Sequence, residues 1–172
     1  SYDGTITVSG GTLIKDGSLN ANMIIAANTR LEGSGSTSGD VSVFGTLAPG
    51  NSPGTNTVNG DVTMNSGGTF EVEIDGRVYD ANGGAGTYDR TAVTGSGNGF
   101  VAGGTITPVL RGISAPANNN FTPVIGDAFR VVTTADASGV TGTFAGITQP
   151  ASGLSANTRF DVLYGGNYVD LV

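Results

Sequence analysis

The stretch GTLAPGNSPGTNTVNGD, residues 45–61, followed by the alternating segment TFEVEID at residues 69–75, decides the fold of this chain. It joins a sharp Gly/Pro/Asn/Ser corner to short extended segments, and its parts recur. Gly-Thr-Leu begins at Gly11 and Gly45, and relatives of it begin at Gly68 and Gly104. Gly-Asp-Val begins at Gly39 and Gly60. The corner threonines Thr12, Thr29, Thr46 and Thr69 follow one another at 17, 17 and 23 residues, and Thr105 comes 36 residues later. Three short strands with their corners need roughly 20 residues per turn, so this spacing predicts a coil of stacked turns. The longer interval holds residues 75–88, rich in Gly, Asn and Asp, which read as an inserted loop.

Strand faces follow a period of two. Phe70, Val72 and Ile74 are expected inward, with Glu71, Glu73 and Asp75 toward solvent. Val41 and Val43, Val62 and Met64, then Ile106, Pro108 and Leu110 form further inward sets, joined by Phe129 and Val131. Stacking would bury them in ladders, each side chain contributing about 1.5–3 kcal/mol. Beyond Gly104 the segments lengthen, and residues 127–133 and 159–164 read as antiparallel strands. Gly165-Gly166-Asn167 predicts a hairpin that covers the last exposed edge. The expected architecture is all-β: a right-handed parallel β-helix with a hairpin-rich C-terminal cap. Residues 1–94 form the turns, with the inserted loop at about 75–88, and residues 95–172 form the cap.

Composition supports strands and turns. Glycine is 30 of 172 residues, far above the usual ~7%. The apolar fraction of 37% is too high for simple disorder. A net charge of −7 argues against nucleic acid and anionic lipid as partners. Cysteine and histidine are both absent, which removes disulfides, thiolate metal sites and imidazole chemistry, and fits export through an oxidising compartment. No apolar run approaches 18 residues and no signal peptide is visible at Ser1, so the chain reads as a mature or excised piece beginning within a longer array.

In order along residues 39–172, the pieces GTLAPGNSPGT, GDVTMNSGGTFEVEI, TYDRTAVTG, GDAFRVVTT, GTFAGI and FDVLYGGNYVDLV resemble the C-terminal part of an autotransporter passenger domain. The resemblance implies a right-handed parallel β-helix exported through the outer membrane. It also implies an autochaperone role for the C-terminal segment and an outer-membrane β-barrel translocator as partner. Asn56 and Thr91 depart from the family's apolar pattern.

Candidate chemistry is sparse. Ser52 reads as a corner residue rather than a nucleophile, since Pro53 follows it and no histidine base exists. Glu71, Glu73 and Asp75 lie on one strand, whereas a glycosidase pair comes from two sides of a cleft. A β-helix lyase would draw on Arg77, Arg90 or Arg111. Residues 83–89, GGAGTYD, fall one residue short of a calcium-binding nonapeptide, which makes Asp75, Asp80 and Asp89 the weak calcium candidates; no other metal, cofactor or catalytic residue is assigned. The exposed aromatics of a binding face would be Tyr2, Tyr79, Tyr88 and Tyr164, which share no common spacing. The expectation is therefore a non-enzymatic extracellular or cell-surface module, a stalk with an autochaperone segment. The alternatives are a filament subunit and an adhesin surface for a host protein or glycan. Expected partners are upstream β-helix turns or another copy of the chain.

Overall fold

The computed structural model describes residues 4–79, 86–113 and 118–172, and these contain strands but no helix. The chain winds through six turns. The first carries β1 (Thr5–Val8), β2 (Thr12–Ile14) and β3 (Ser18–Leu19). The second carries β4 (Asn22–Ile25), β5 (Arg30–Gly33) and β6 (Ser36–Thr37), and the third β7 (Val41–Val43), β8 (Thr46–Pro49) and β9 (Thr55–Val58). The fourth carries β10 (Val62–Met64), β11 (Thr69–Glu73) and β12 (Arg90–Val93), and the fifth β13 (Phe100–Ala102), β14 (Thr105–Val109) and β15 (Phe129–Thr134). The last turn has β16 (Val140–Gly142) and β17 (Gly146–Ile147), then the hairpin β18 (Val162–Tyr164) and β19 (Tyr168–Leu171).

Corresponding strands stack into three parallel sheets, β1-β4-β7-β10-β13-β16, β2-β5-β8-β11-β14-β17 and β3-β6-β9-β12-β15. This is a parallel β-helix, as the spacing predicted. Parallel stacking runs through the fifth turn and into β16 and β17. Among the described residues, antiparallel strand pairing is confined to β19, which lies against β15 and β18, apart from the single bridges Gly33–Gly50 and Ile74–Tyr88. β15 is thus parallel to β12 on one edge and antiparallel to β19 on the other, so the hairpin covers the edge of the third sheet.

The repeats mark real register with one exception. Thr46, Thr69 and Thr105 stand above one another. Thr29 is one residue out of step, because Arg30 is the partner of both Thr12 and Thr46. Thr29 is instead a buried corner residue whose hydroxyl donates to the Ala26 and Val8 carbonyls at 2.7 and 3.2 Å. The Gly-Asp-Val corners align through Val41 and Val62. Their acids have a structural task. The Asp40 N–H donates to Asn22 Oδ1 and the Asp61 N–H to Asp40 Oδ1, each at 2.9 Å, and the Gly99 N–H donates to Asp61 Oδ1 at 2.8 Å. Each corner thereby caps the next.

Leu31, Leu47, Phe70 and Ile106 form one inward ladder across consecutive turns, all essentially inaccessible. Phe70, Phe100 and Phe144 pack together in the upper turns, with Phe70 and Phe144 stacked at 6.0 Å. A second aromatic group, Phe121, Phe129, Phe160 and Tyr88, fills the end under the hairpin. Asn56 and Thr91, the two departures from an apolar pattern, both point inward and pair across β9 and β12. The Lys15 ammonium reaches Asn56 Oδ1 at 3.4 Å inside the coil, and burial pushes its pKa down to about 8 despite Asp16 nearby.

Candidate functional site

The corner after β8 folds back over the end of β11 and builds the most elaborate polar site of the described residues. Gly50 and Ser52 both take positive φ, 95° and 56°. Gly50 exchanges backbone hydrogen bonds with Gly33 at 2.9 and 3.0 Å, which anchors the corner to the turn below. A Cβ on Gly50 would stand 2.7 Å from the Gly54 Cα and against the Asp89 carboxylate, so both conformation and space require glycine there.

Asp89 organises the site. It follows the inserted loop, is 1% exposed, and accepts the Gly54 N–H on Oδ1 at 2.8 Å and the Glu73 N–H on Oδ2 at 2.9 Å. Burial pushes its pKa well up, and the neighbouring Glu73 charge adds to this against the two N–H donors. Ser52 donates its hydroxyl to Glu73 Oε2. Beside them, Arg30 bridges Glu32 Oε2 and Glu71 Oε1, each at 2.7 Å. Burial works against the Arg30 charge, but the hydrogen bonds to Glu71 and Glu32 outweigh it and raise its pKa. A cleft of about 80 Å³ opens here, lined by Arg30, Glu32, Ser52, Glu73 and Asp89.

Glu73 was expected in solvent, and the structure corrects this: it is 8% exposed. Period two does turn it outward, but the Ser52 corner lies over that end of β11. Phe70, Val72 and Ile74 are fully buried as expected. The strand carboxylates sit in three different settings: Glu71 on Arg30, Glu73 under Ser52, and Asp75 accepting the Asn118 N–H at 2.7 Å. The three arginines considered for lyase chemistry are likewise apart. Arg77 pairs with Asp127 at 2.5 Å, Arg90 lies over the Tyr79 ring, and Arg111 donates to the Phe121 carbonyl.

Of the calcium candidates, Asp80 lies outside the described residues, as do Gly83 to Ala85 and Tyr2. Asp75 and Asp89 each accept backbone N–H groups, and the described residues form no cluster of three metal-ligating side chains. Tyr164 takes the Phe144 N–H on its hydroxyl at 2.8 Å, and burial raises its pKa. Tyr79 and Tyr88, by contrast, meet at one cleft. Spacing concealed this, because the insertion rather than the repeat brings them together.

No family model matches the chain. Over 149 residues, 82% of the chain, the sequence is 30% identical to an extracellular serine protease of Serratia marcescens. The match spans 13% of that protein's length. This overturns the expectation that the protein is not an enzyme, since a relative over most of the chain is named a protease. The chain's lack of histidine limits the catalytic groups that this segment itself supplies.

Proposed function

We infer that this chain is the β-helical stalk and folding segment of a longer exported protein of the autotransporter type, acting at the cell surface or outside the cell. The observation that carries this reading is the continuous stacking of turns closed at one end by the β18–β19 hairpin. Extracellular placement rests on the Serratia relative and on the resemblance of the six ordered pieces. A folding segment and a catalytic domain can share one polypeptide, so the protease match and this role do not compete.

The closed end has the features of a folding nucleus. β18 and β19 pair locally as a hairpin, and β19 lies against β15 over an aromatic group, so the hairpin forms without stacked turns and offers β15 an edge to dock on. Turns then add one by one, each burying its ladder on the last. At the other end β1, β2 and β3 have no further strand beside them among the described residues, and Ile14 is 61% exposed. Upstream turns of the same kind would cover that edge.

Hydrogen exchange on the full chain tests the folding role. Amides of β15 and β19 should exchange slowest, and those of β1 to β3 fastest. Uniform protection, or slower exchange in β1 to β7 than in β15 and β19, would refute it. Light scattering tests the open edge: growth into long fibres would replace upstream turns by further copies of the chain as the partner.

A further inference from the structure

The outer face of the third sheet carries a second cleft, distant in sequence from the Ser52 corner. Its volume is about 210 Å³, and Tyr79, Tyr88, Ala128, Arg130 and Asp170 line it. Arg130 holds Asp170 in a two-pronged pair, Nε to Oδ1 at 3.0 Å and Nη2 to Oδ2 at 3.1 Å. The same guanidinium packs on Tyr168, 3.9 Å from the ring centroid. A register shift between Arg130 and Val132 bends β15 at this point. The Tyr88 hydroxyl accepts the Arg130 N–H at 3.3 Å and fixes the cleft wall.

Behind the cleft lies an unusual cation. Arg90 is 4% exposed, its guanidinium 4.6 Å from the Tyr79 ring centroid. Its Nε and Nη1 are buried without a hydrogen-bond partner among the described residues, where it also forms no ion pair. Buried guanidinium donors are ordinarily satisfied, and an unsatisfied one is a site awaiting explanation. Among the described residues, Arg90 and Arg130 bring two guanidinium groups to this cleft and its wall against the one carboxylate of Asp170. Tyr79 itself is 43% exposed, so the ring that Arg90 supports is open to a ligand.

We propose that this cleft binds a saccharide bearing a carboxylate. An exposed tyrosine ring offers a flat apolar surface to the C–H face of a pyranose. The planar Arg130–Asp170 pair presents donors and acceptors side by side, as adjacent sugar hydroxyls require. A neutral sugar would satisfy these features alone. The Arg90 charge, which forms no ion pair among the described residues, adds a preference for an acidic one, because its field reaches the cleft through a poorly solvated wall.

The test is an amide-shift titration of the full chain with a galacturonic acid trisaccharide, beside an uncharged galactose trisaccharide. Saturable shifts are expected at Tyr79, Tyr88, Arg130 and Asp170, with Kd of about 1 mM or tighter. Tyr79→Ala, a change at a partly exposed position, should weaken binding about tenfold while leaving the rest of the spectrum in place. Arg90→Met should abolish the preference for the charged sugar. Absence of saturable shifts at these residues would overturn the proposal. So would equal binding of the two trisaccharides, or binding that Tyr79→Ala leaves unchanged.

Discussion

Gly17 and Gly35 occupy the same corner on successive turns, next to the paired residues Ser18 and Ser36, so alanine at each isolates the effect of stacking. A Cβ on Gly17 meets nothing within 4 Å. A Cβ on Gly35 would lie 2.8 Å from both the Asp16 carbonyl carbon and the Gly17 nitrogen, and closer still to the Gly17 carbonyl oxygen. Those atoms are rigid backbone, so the turns must part locally. Parting them stretches the Gly35 N–H bond to the Lys15 carbonyl at 3.0 Å and the Ser36 N–H bond to the Gly17 carbonyl at 3.1 Å. Two such bonds at about 1 kcal/mol each, with added loss of packing, put Gly35→Ala at about 2–4 kcal/mol destabilising. Gly17→Ala should be neutral or stabilise by up to about 1 kcal/mol, by narrowing the unfolded ensemble. Urea denaturation followed by circular dichroism measures both, with unchanged slope as the check on two-state behaviour. Equal effects of the two substitutions would refute the stacking of these corners.

Glu73→Gln should cost about 1–2 kcal/mol in the same assay, because it disturbs a buried carboxylate that receives the Ser52 hydroxyl; a change below about 0.5 kcal/mol would return Glu73 to the surface. Val72→Asp, at a fully buried position, should prevent folding or cost more than about 4 kcal/mol, and a mild effect would contradict the register of β11. Lys15→Met should stabilise the chain at pH 7 by about 1–2 kcal/mol after allowance for residual solvation. Its folded pKa of about 8 lies below the ordinary 10.5, so the unfolded state holds the proton more tightly. Stability of the parent should therefore rise between pH 8 and 10.5, and the gain from Lys15→Met should fade over that range. A gain independent of pH would show that packing, not charge, sets the effect.

The sequence was most legible where one corner type repeats. The Gly-Asp-Val segments predicted stacked corners because each aspartate caps the N–H groups of the turn beside it, a local task that fixes residue type. Inward faces followed from alternation, since Phe70, Val72 and Ile74 leave no other arrangement. Thr29 misled by one position because a corner hydroxyl and a strand threonine look alike in sequence. Residues governed by the insertion were harder to read. Glu73 is buried by a corner some 20 residues earlier in the chain, and Asp89 by that corner's Gly54 and by β11. Tyr79 and Arg90 meet from opposite sides of the insertion, a contact that no periodicity encodes. The C-terminal hairpin was plain from its glycines. The parallel pairing of β15 with β12 was not, because its longer apolar run fits either orientation.

The most direct test of the parallel coil is a distance series along one sheet. Thr7, Ile24, Ser42, Thr63, Val101 and Thr141 stand in register on consecutive turns of the first sheet. The chain has no cysteine, so a single pair can be introduced and spin-labelled without background. Pulsed electron resonance from Thr7→Cys should place Thr63, Val101 and Thr141 labels at about 14, 19 and 24 Å between backbones, one strand spacing of about 4.8 Å per turn. Each increment should equal one strand spacing, although about 40 residues of chain separate successive labels. Increments that depart from one strand spacing per turn, or a Thr141 label closer to Thr7 than the Val101 label, would contradict the β-helix.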